Sequence, residues 1–197
     1  MSRRHSDAAL LEAARECVAT LGVRRTTVAD VARRAGASRM TVYRLFPDAQ
    51  ALWSTLLTRE FGDVMREAAE ASAHLPTARA RLVEAITRGV ERLAADPVVR
   101  RVLELDPELL TPYIVERLGQ SQQLAMREFR RYLDEGHADG SIRQVDDAVV
   151  TYVLQLVVGS VVLASRVTER ESDPAAVAAE LRRMLDAYLA PESNRAS

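Results

Sequence analysis

Between Thr27 and Ser38 the chain carries the signals that start one helix, stop it and start another. Thr27 is followed three residues on by Asp30, the spacing of a capping box, and Gly36 suits the left-handed residue that closes a helix. Ser38 suits the cap of the next helix. Val28, Val31, Ala32 and Ala35 give the first of these helices a buried stripe. The second, about two turns from Ser38, is too short to stand alone and must pack on its neighbours. Ahead of both, Leu10, Ala14, Cys17 and Leu21 recur at helical spacing, predicting a helix over 6–21 that Gly22 ends.

The remainder reads the same way. The chain is 48% hydrophobic, with 8 Gly and 7 Pro in 197 residues, and is dominated by helix-favouring Ala, Leu, Arg and Glu. We expect an all-α fold. Asp48 can cap a long helix to about Ala73, and a further helix covers 77–95 with Leu82, Ile86, Val90 and Leu93 buried. Asp-Pro recurs at 96, 106 and 173, each time offering an N-cap acceptor and a residue preset for the first helical turn. A segment over 112–138, a Val-rich helix over 146–167 and a last helix over 174–189 complete a body of about six helices. The expected domains are 1–47 and 48–197.

The net charge of −1 conceals an asymmetry. Residues 1–47 carry 9 Arg against 4 acids, or +5, while 48–197 carry 18 Arg against 24 acids, or −6. A basic head on an acidic body implies an anionic partner for the head, with nucleic acid the leading candidate. All 27 basic residues are Arg, which codon bias explains as well as chemistry does. A single cysteine, on the core face of the first helix, forms no internal disulfide, and no signal-peptide pattern opens the chain, so a cytoplasmic setting is expected. The apolar stretch 148–165 is broken by Thr151, Gln155, Gly159, Ser160 and Ser165, short of the roughly 20 apolar residues of a membrane span.

On a helical wheel of the third helix Val42, Leu45 and Phe46 share one side, Met40, Tyr43 and Arg44 point away, and Thr41 lies on the flank. Two helices joined by a tight Gly turn form a helix-turn-helix, whose last helix enters a major groove about 12 Å wide with its N-terminal residues at base edges. Arg39, Met40 and Thr41 occupy that leading end, behind Ser38. Arg39 suits bidentate bonding to guanine, Thr41 a hydroxyl bond or thymine-methyl contact, and Met40 an apolar contact. Tyr43 and Arg44 can reach phosphates, and the helix start at Thr27 and Val28 offers backbone N–H groups to a phosphate oxygen. The competing reading is that this exposed face is a solvated surface on a common supersecondary unit.

The segment "TTVADVARRAGASRMTVYRLFPDAQAL" (26–52) resembles the helix-turn-helix signature of the tetracycline-repressor family of bacterial transcriptional regulators, and the match runs from residue 8 to about 57. The resemblance implies that Thr27, Arg39, Met40, Thr41 and Tyr43 touch DNA, with Tyr43 on a phosphate. Leu45 and Ala49 depart from the pattern, standing where a polar His or Tyr and a Lys are frequent. Arg24, Arg25 and Arg44 can compensate, and Arg3 or Arg4 can act as an arm in the minor groove.

The family likeness further implies a homodimer, on a palindromic double-stranded operator, that a small-molecule effector releases as a repressor would be released. Its last two helices would pair with their symmetry mates. Independently, Val149, Val153, Leu156, Ser160 and Leu163 follow helical spacing, and Gly159 with Ser160 permits a close helix approach. The implied effector pocket has Trp53, Phe61, Met65, Leu103, Leu109, Tyr113, Phe129 and Tyr152 as its expected lining, although apolar residues at such spacing also fill ordinary cores. The rival reading is a ligand- or partner-binding helical dimer without DNA affinity.

Enzymatic classes find little footing. The three His give no Glu-x-x-His pair, Cys17 has no His in its pattern, and neither a phosphate-cradling Gly loop nor a G-x-S-x-G elbow is present. No catalytic residue, metal site or cofactor is expected. His5, His74 and His137 fall near helix ends or loops, where solvated polar roles are expected.

Overall fold

The computed structural model describes residues 7–106 and 119–191. Among them are ten helices and no strand: α1 (Asp7–Leu21), α2 (Val28–Arg34), α3 (Arg39–Leu45), α4 (Ala49–Ser72), α5 (Ala78–Ala95), α6 (Pro97–Leu105), α7 (Gln120–Ala138), α8 (Asp147–Leu163), α9 (Ser165–Glu171) and α10 (Pro174–Leu189). The caps read from sequence are in place. Asp48 accepts the N–H of Ala51 at 2.7 Å, Asp96 those of Val98 and Val99 at 2.8 and 3.0 Å, and Asp173 that of Ala175 at 3.0 Å. Each carboxylate meets N–H groups that the first helical turn otherwise leaves without a partner.

The expected helix over 146–167 is two helices. Ala164 ends α8 with its N–H on the Ser160 carbonyl, and α9 leaves at 57°. No Gly or Pro marks that bend, so periodicity alone runs straight through it. No single helix among the described residues is long and apolar enough to cross a membrane, although the bent pair α8 and α9 passes that test when taken together.

The chain divides into two units. The first contains α1–α3, α4 as far as Phe61, and α6. Its core joins Leu10, Ala14, Cys17 and Val18 of α1 to Val31 of α2, Val42 of α3, Leu52 and Leu56 of α4, and Val98 and Val102 of α6. Packing therefore extends this unit past Pro47, where the three-helix head ends and the sequence sets its domain boundary. Cys17 lies inside that core, and burial pushes its thiol above the usual value.

The second unit takes in Gly62–Ala94 and the chain from Ser121 onward. Its buried residues include Leu82, Ile86 and Val90 of α5, Phe129 and Leu133 of α7, Val150 and Leu154 of α8, and Leu181, Leu185 and Leu189 of α10. Polar ties close its ends. Asp139 accepts the N–H of Ala78 at 2.8 Å, and Arg143 donates from its backbone to Leu189 O at 3.0 Å and from Nε to Tyr188 O at 2.8 Å. His137, expected to be a solvated side chain, is half-buried with Nε2 2.9 Å from Asp147 Oδ1, because the α7–α8 connection folds back on the end of α7.

Candidate nucleic-acid interface

The turn between α2 and α3 follows from its residues. Gly36 adopts φ +64°, its N–H bonds Arg33 O at 3.2 Å, and the N–H of Ala37 reaches back to Ala32 O at 2.8 Å. These two bonds close α2 in the double-bonded pattern that needs a left-handed residue, which glycine adopts without penalty. Two residues later Ser38 Oγ accepts the N–H of Thr41 at 3.1 Å and opens α3. At the other end of α2, Thr27 Oγ1 accepts the Asp30 N–H at 3.2 Å while Asp30 accepts the Thr27 N–H at 3.0 Å. The Thr27 hydroxyl also donates to the Asp30 carboxylate, which holds that acid below its ordinary range.

α3 is fixed by its inner side. Val42 is fully buried, Phe46 is buried just beyond the helix, and Leu45 packs half-buried against the same core. Ser38, Arg39, Met40, Tyr43 and Arg44 face solvent, Met40 with 76% of its surface exposed, and Thr41 is half-buried on the flank. Val28 is buried, so at the start of α2 only its backbone is available to a ligand. Arg3 and Arg4 lie outside the described residues.

The arginines of the head divide by partner. Arg15 pairs with Glu60 at 2.9 Å and Asp96 at 3.4 Å, Arg24 lies 4.0 Å from Asp106, Arg33 pairs with Asp30, and Arg34 pairs with Glu16. Arg25, Arg39 and Arg44 make no ion pair or hydrogen bond with any described residue, and all three are exposed. Arg24, named from sequence as a compensating phosphate contact, is thus already engaged inside the unit. The unpaired guanidiniums are the ones free for an external anion.

Sequence reasoning missed how the head is held. α6 grips α1 and the α1–α2 turn at three points. Its N-cap Asp96 meets Arg15, Arg101 Nε donates to Ala19 O at 3.0 Å, and Asp106 just past its end accepts the N–H groups of Val23 at 2.8 Å and Arg24 at 3.4 Å. Asp106 is buried, and beside it Gly22 takes φ +85°. Partners some 80 residues apart in the chain leave no periodic signal; only the Asp-Pro spelling drew attention to 96 and 106. Glu60 is buried on α4, and its pKa is raised by that burial, which the Arg15 bond offsets only in part.

The remaining expected site residues scatter. Trp53, Phe61 and Leu103 are half-buried in the first unit, Trp53 against its core, whereas Met65 is half-buried and Phe129 buried in the second. Leu109 and Tyr113 lie outside the described residues. Tyr152, expected to line a ligand site, is 47% exposed and shares the outer side of α8 with Val149 (56%) and Leu156 (51%). At 100° per residue Val149, Val153, Leu156, Gly159, Ser160 and Leu163 fall within an arc of about 120°. Ser160 is exposed there, and Val153, Gly159 and Leu163 are half-buried on the flanks.

A supported short helix, closed behind by a Gly turn and presenting unpaired arginines with Met, Thr and Tyr, is the reading head of a helix-turn-helix DNA-binding protein. Comparison with known proteins agrees. Residues 10–54 match the model for bacterial regulatory proteins of the tetR family. Over 180 residues the chain is 36% identical to the uncharacterized HTH-type transcriptional regulator Rv2250c of Mycobacterium tuberculosis H37Rv, covering 91% of this chain and 92% of that one. Two solved structures share the fold at a TM-score of 0.70: FadR from Bacillus subtilis in complex with stearoyl-CoA, at 19% identity over 93% of this chain and 100% of the other, and a TetR-family regulator from Rhodococcus sp., at 23% over 96% and 100%. The chain belongs to the tetR family of bacterial transcriptional regulators and is a DNA-binding regulator.

Proposed function

We propose that the chain is a homodimeric repressor that holds a palindromic operator and lets go when a small-molecule effector enters its second unit. The observation that carries the DNA part is the partition of arginines: four of the seven described in the head pair internally, and Arg39 and Arg44 on the outer side of α3 do not. Arg39 at the leading end reads a base, Met40 and Thr41 add apolar and hydroxyl contacts, and Tyr43 and Arg44 hold phosphates, as do the backbone N–H groups at Thr27 and Val28. The outer arc of α8 supports the dimer, since three large apolar residues half exposed on one side of a helix are seldom left wet. A two-fold protein matches a palindromic site. The effector reading leans on relatives such as FadR, solved with stearoyl-CoA.

The test is a contrast. Arg39→Ala should lose about 1 to 3 kcal/mol per half-site on operator and relax preference at one base pair, with little change on scrambled duplex. Arg44→Ala should weaken both duplexes about equally and shallow the salt dependence, because a phosphate contact releases counterions whatever the sequence. Titrations at several salt concentrations, on DNA flanking the gene and on a scrambled control, read the difference. Equal loss on both duplexes for Arg39→Ala makes it a phosphate contact instead.

A further inference from the structure

The inner side of α8 carries a hydroxyl that the fold leaves without a partner. Thr151 is 1% exposed, and its hydroxyl makes no hydrogen bond. A helical threonine ordinarily turns its hydroxyl back to the carbonyl four residues earlier, as buried Thr87 of the same unit does to Val83 O at 2.8 Å. Thr151 does not. One turn further, Gln155 is also buried and its side-chain amide bonds no described residue, although that amide keeps some contact with solvent and leans toward Gly159. Fully buried polar atoms without partners, which in this unit also include Ser165 Oγ and His137 Nδ1, are rare in folded proteins and call for an explanation, of which a bound molecule is one.

The charge of that surrounding limits what can bind. Among the described residues of the second unit the buried polar side chains are Ser72, Thr87, Thr151, Gln155 and Ser165, all uncharged, while every carboxylate and guanidinium reaches solvent. An ionised group enclosed there would find no fully buried carboxylate or guanidinium among the described residues to offset its loss of water. A hydroxyl, carbonyl or amide meeting Thr151 and Gln155 would instead satisfy both itself and them. The flanking buried residues, Val150 and Leu154, are apolar.

We propose that Thr151 and Gln155 are the polar recognition point for the effector, and that the effector is an uncharged, largely apolar molecule bearing a hydrogen-bonding group. This rests on the reading that the second unit takes an effector. Thr151→Val keeps the side-chain shape and removes only the hydroxyl, so the ligand-free variant should melt at or above the wild-type temperature. A matched set of probes (octan-1-ol, octanamide, octanoate and octane) is then tested by thermal shift on the full chain. The alcohol and the amide should raise the melting temperature of the wild type, octanoate and octane should not, and both Thr151→Val and Gln155→Leu should lose the rise while Thr151→Ser keeps it. Three outcomes overturn the proposal: Thr151→Val melting well below wild type, octanoate or octane matching the alcohol, or no probe producing a shift. If the neutral probes bind selectively but DNA stays bound in a gel shift, the recognition chemistry stands and release by effector is what fails.

Discussion

Asp106 accepts the backbone N–H of Val23 at 2.8 Å, so a carboxylate at the end of α6 holds the turn from which the helix-turn-helix sets out. Within the turn the N–H of Thr26 bonds Val23 O at 3.2 Å. Thr26 donates to Gly22 O at 2.6 Å, and Thr27 then begins the capping box of α2. The position of α2, and through the Gly36 turn that of α3, is therefore referred to α6.

Replacing Asp106 with Ala removes the acceptor and leaves the Val23 N–H without a partner in a half-buried turn. The expected cost is about 1–3 kcal/mol. At about 2–4 °C per kcal/mol for a chain of this size, thermal unfolding will show a clear drop in midpoint. A midpoint within error of wild type means that water replaces the carboxylate without loss.

Gly22 and Gly36 should respond differently to alanine. Both have positive φ, so each incurs the left-handed penalty of roughly 1–2 kcal/mol. A Cβ at Gly36 meets open space, whereas at Gly22 it stands 2.9 Å from Asp106 Oδ2 and 3.1 Å from Leu105 Cδ1. Gly22→Ala should cost more, because it also displaces the carboxylate. Denaturant midpoints of the two variants measure the gap, and equal losses contradict it.

Acid should loosen the second unit through Asp139. Its carboxylate is held below the ordinary range, first by the Ser141 hydroxyl and then by the backbone N–H of Ala78. A lowered folded pKa means that this contribution is present at neutral pH and is lost as pH falls below about 3.9, the unfolded value. Asp139→Asn should be less stable than wild type at pH 7, and the difference should shrink as the solution is acidified. Urea unfolding across pH 3–7 tests the sign, and a difference that widens in acid refutes it.

Leu156→Arg separates interface from core. Leu156 is half exposed in the single chain, so arginine there need not disturb the fold of one protomer. At a dimer interface it buries an unpaired charge in each copy. Light scattering should give monomers with helical content retained. Val153, half-buried on the flank of the arc, should give the same assembly result as arginine with a larger loss of stability.

Local structure was legible where the signal is local. The capping box at Thr27 and Asp30, the Gly36 turn and the inward set Val42, Leu45 and Phe46 all follow from neighbours a few residues apart. The bend at Ala164 was not, because helix-forming residues lie on both sides of it. Nor was the attachment of α6: Arg15 finds Asp96 across 81 residues and Val23 finds Asp106 across 83. The charge split at Pro47 pointed to an anionic partner, but counting charges cannot tell Arg24, paired with Asp106, from Arg39, paired with nothing described. On α8 the apolar spacing was evident, while the 47% exposure of Tyr152 was not, because an aromatic suits a lining and an outer face equally well.

The separation of α3 into an inner side held by Val42 and Phe46 and outer side chains, Arg39, Met40, Tyr43 and Arg44, that pair with no described residue bears on how such a chain diverges. On the contacts proposed above, a duplicate copy can exchange Arg39 or Met40 and acquire a different DNA preference with no compensating change elsewhere, since neither side chain pairs with a described residue of the fold. A change at Asp30, Gly22 or Asp106 has no such freedom and must be matched by its partner. With those contacts as proposed, target choice and structural integrity are inherited on different residues, and descendants of this sequence can drift in the first while the second stays fixed.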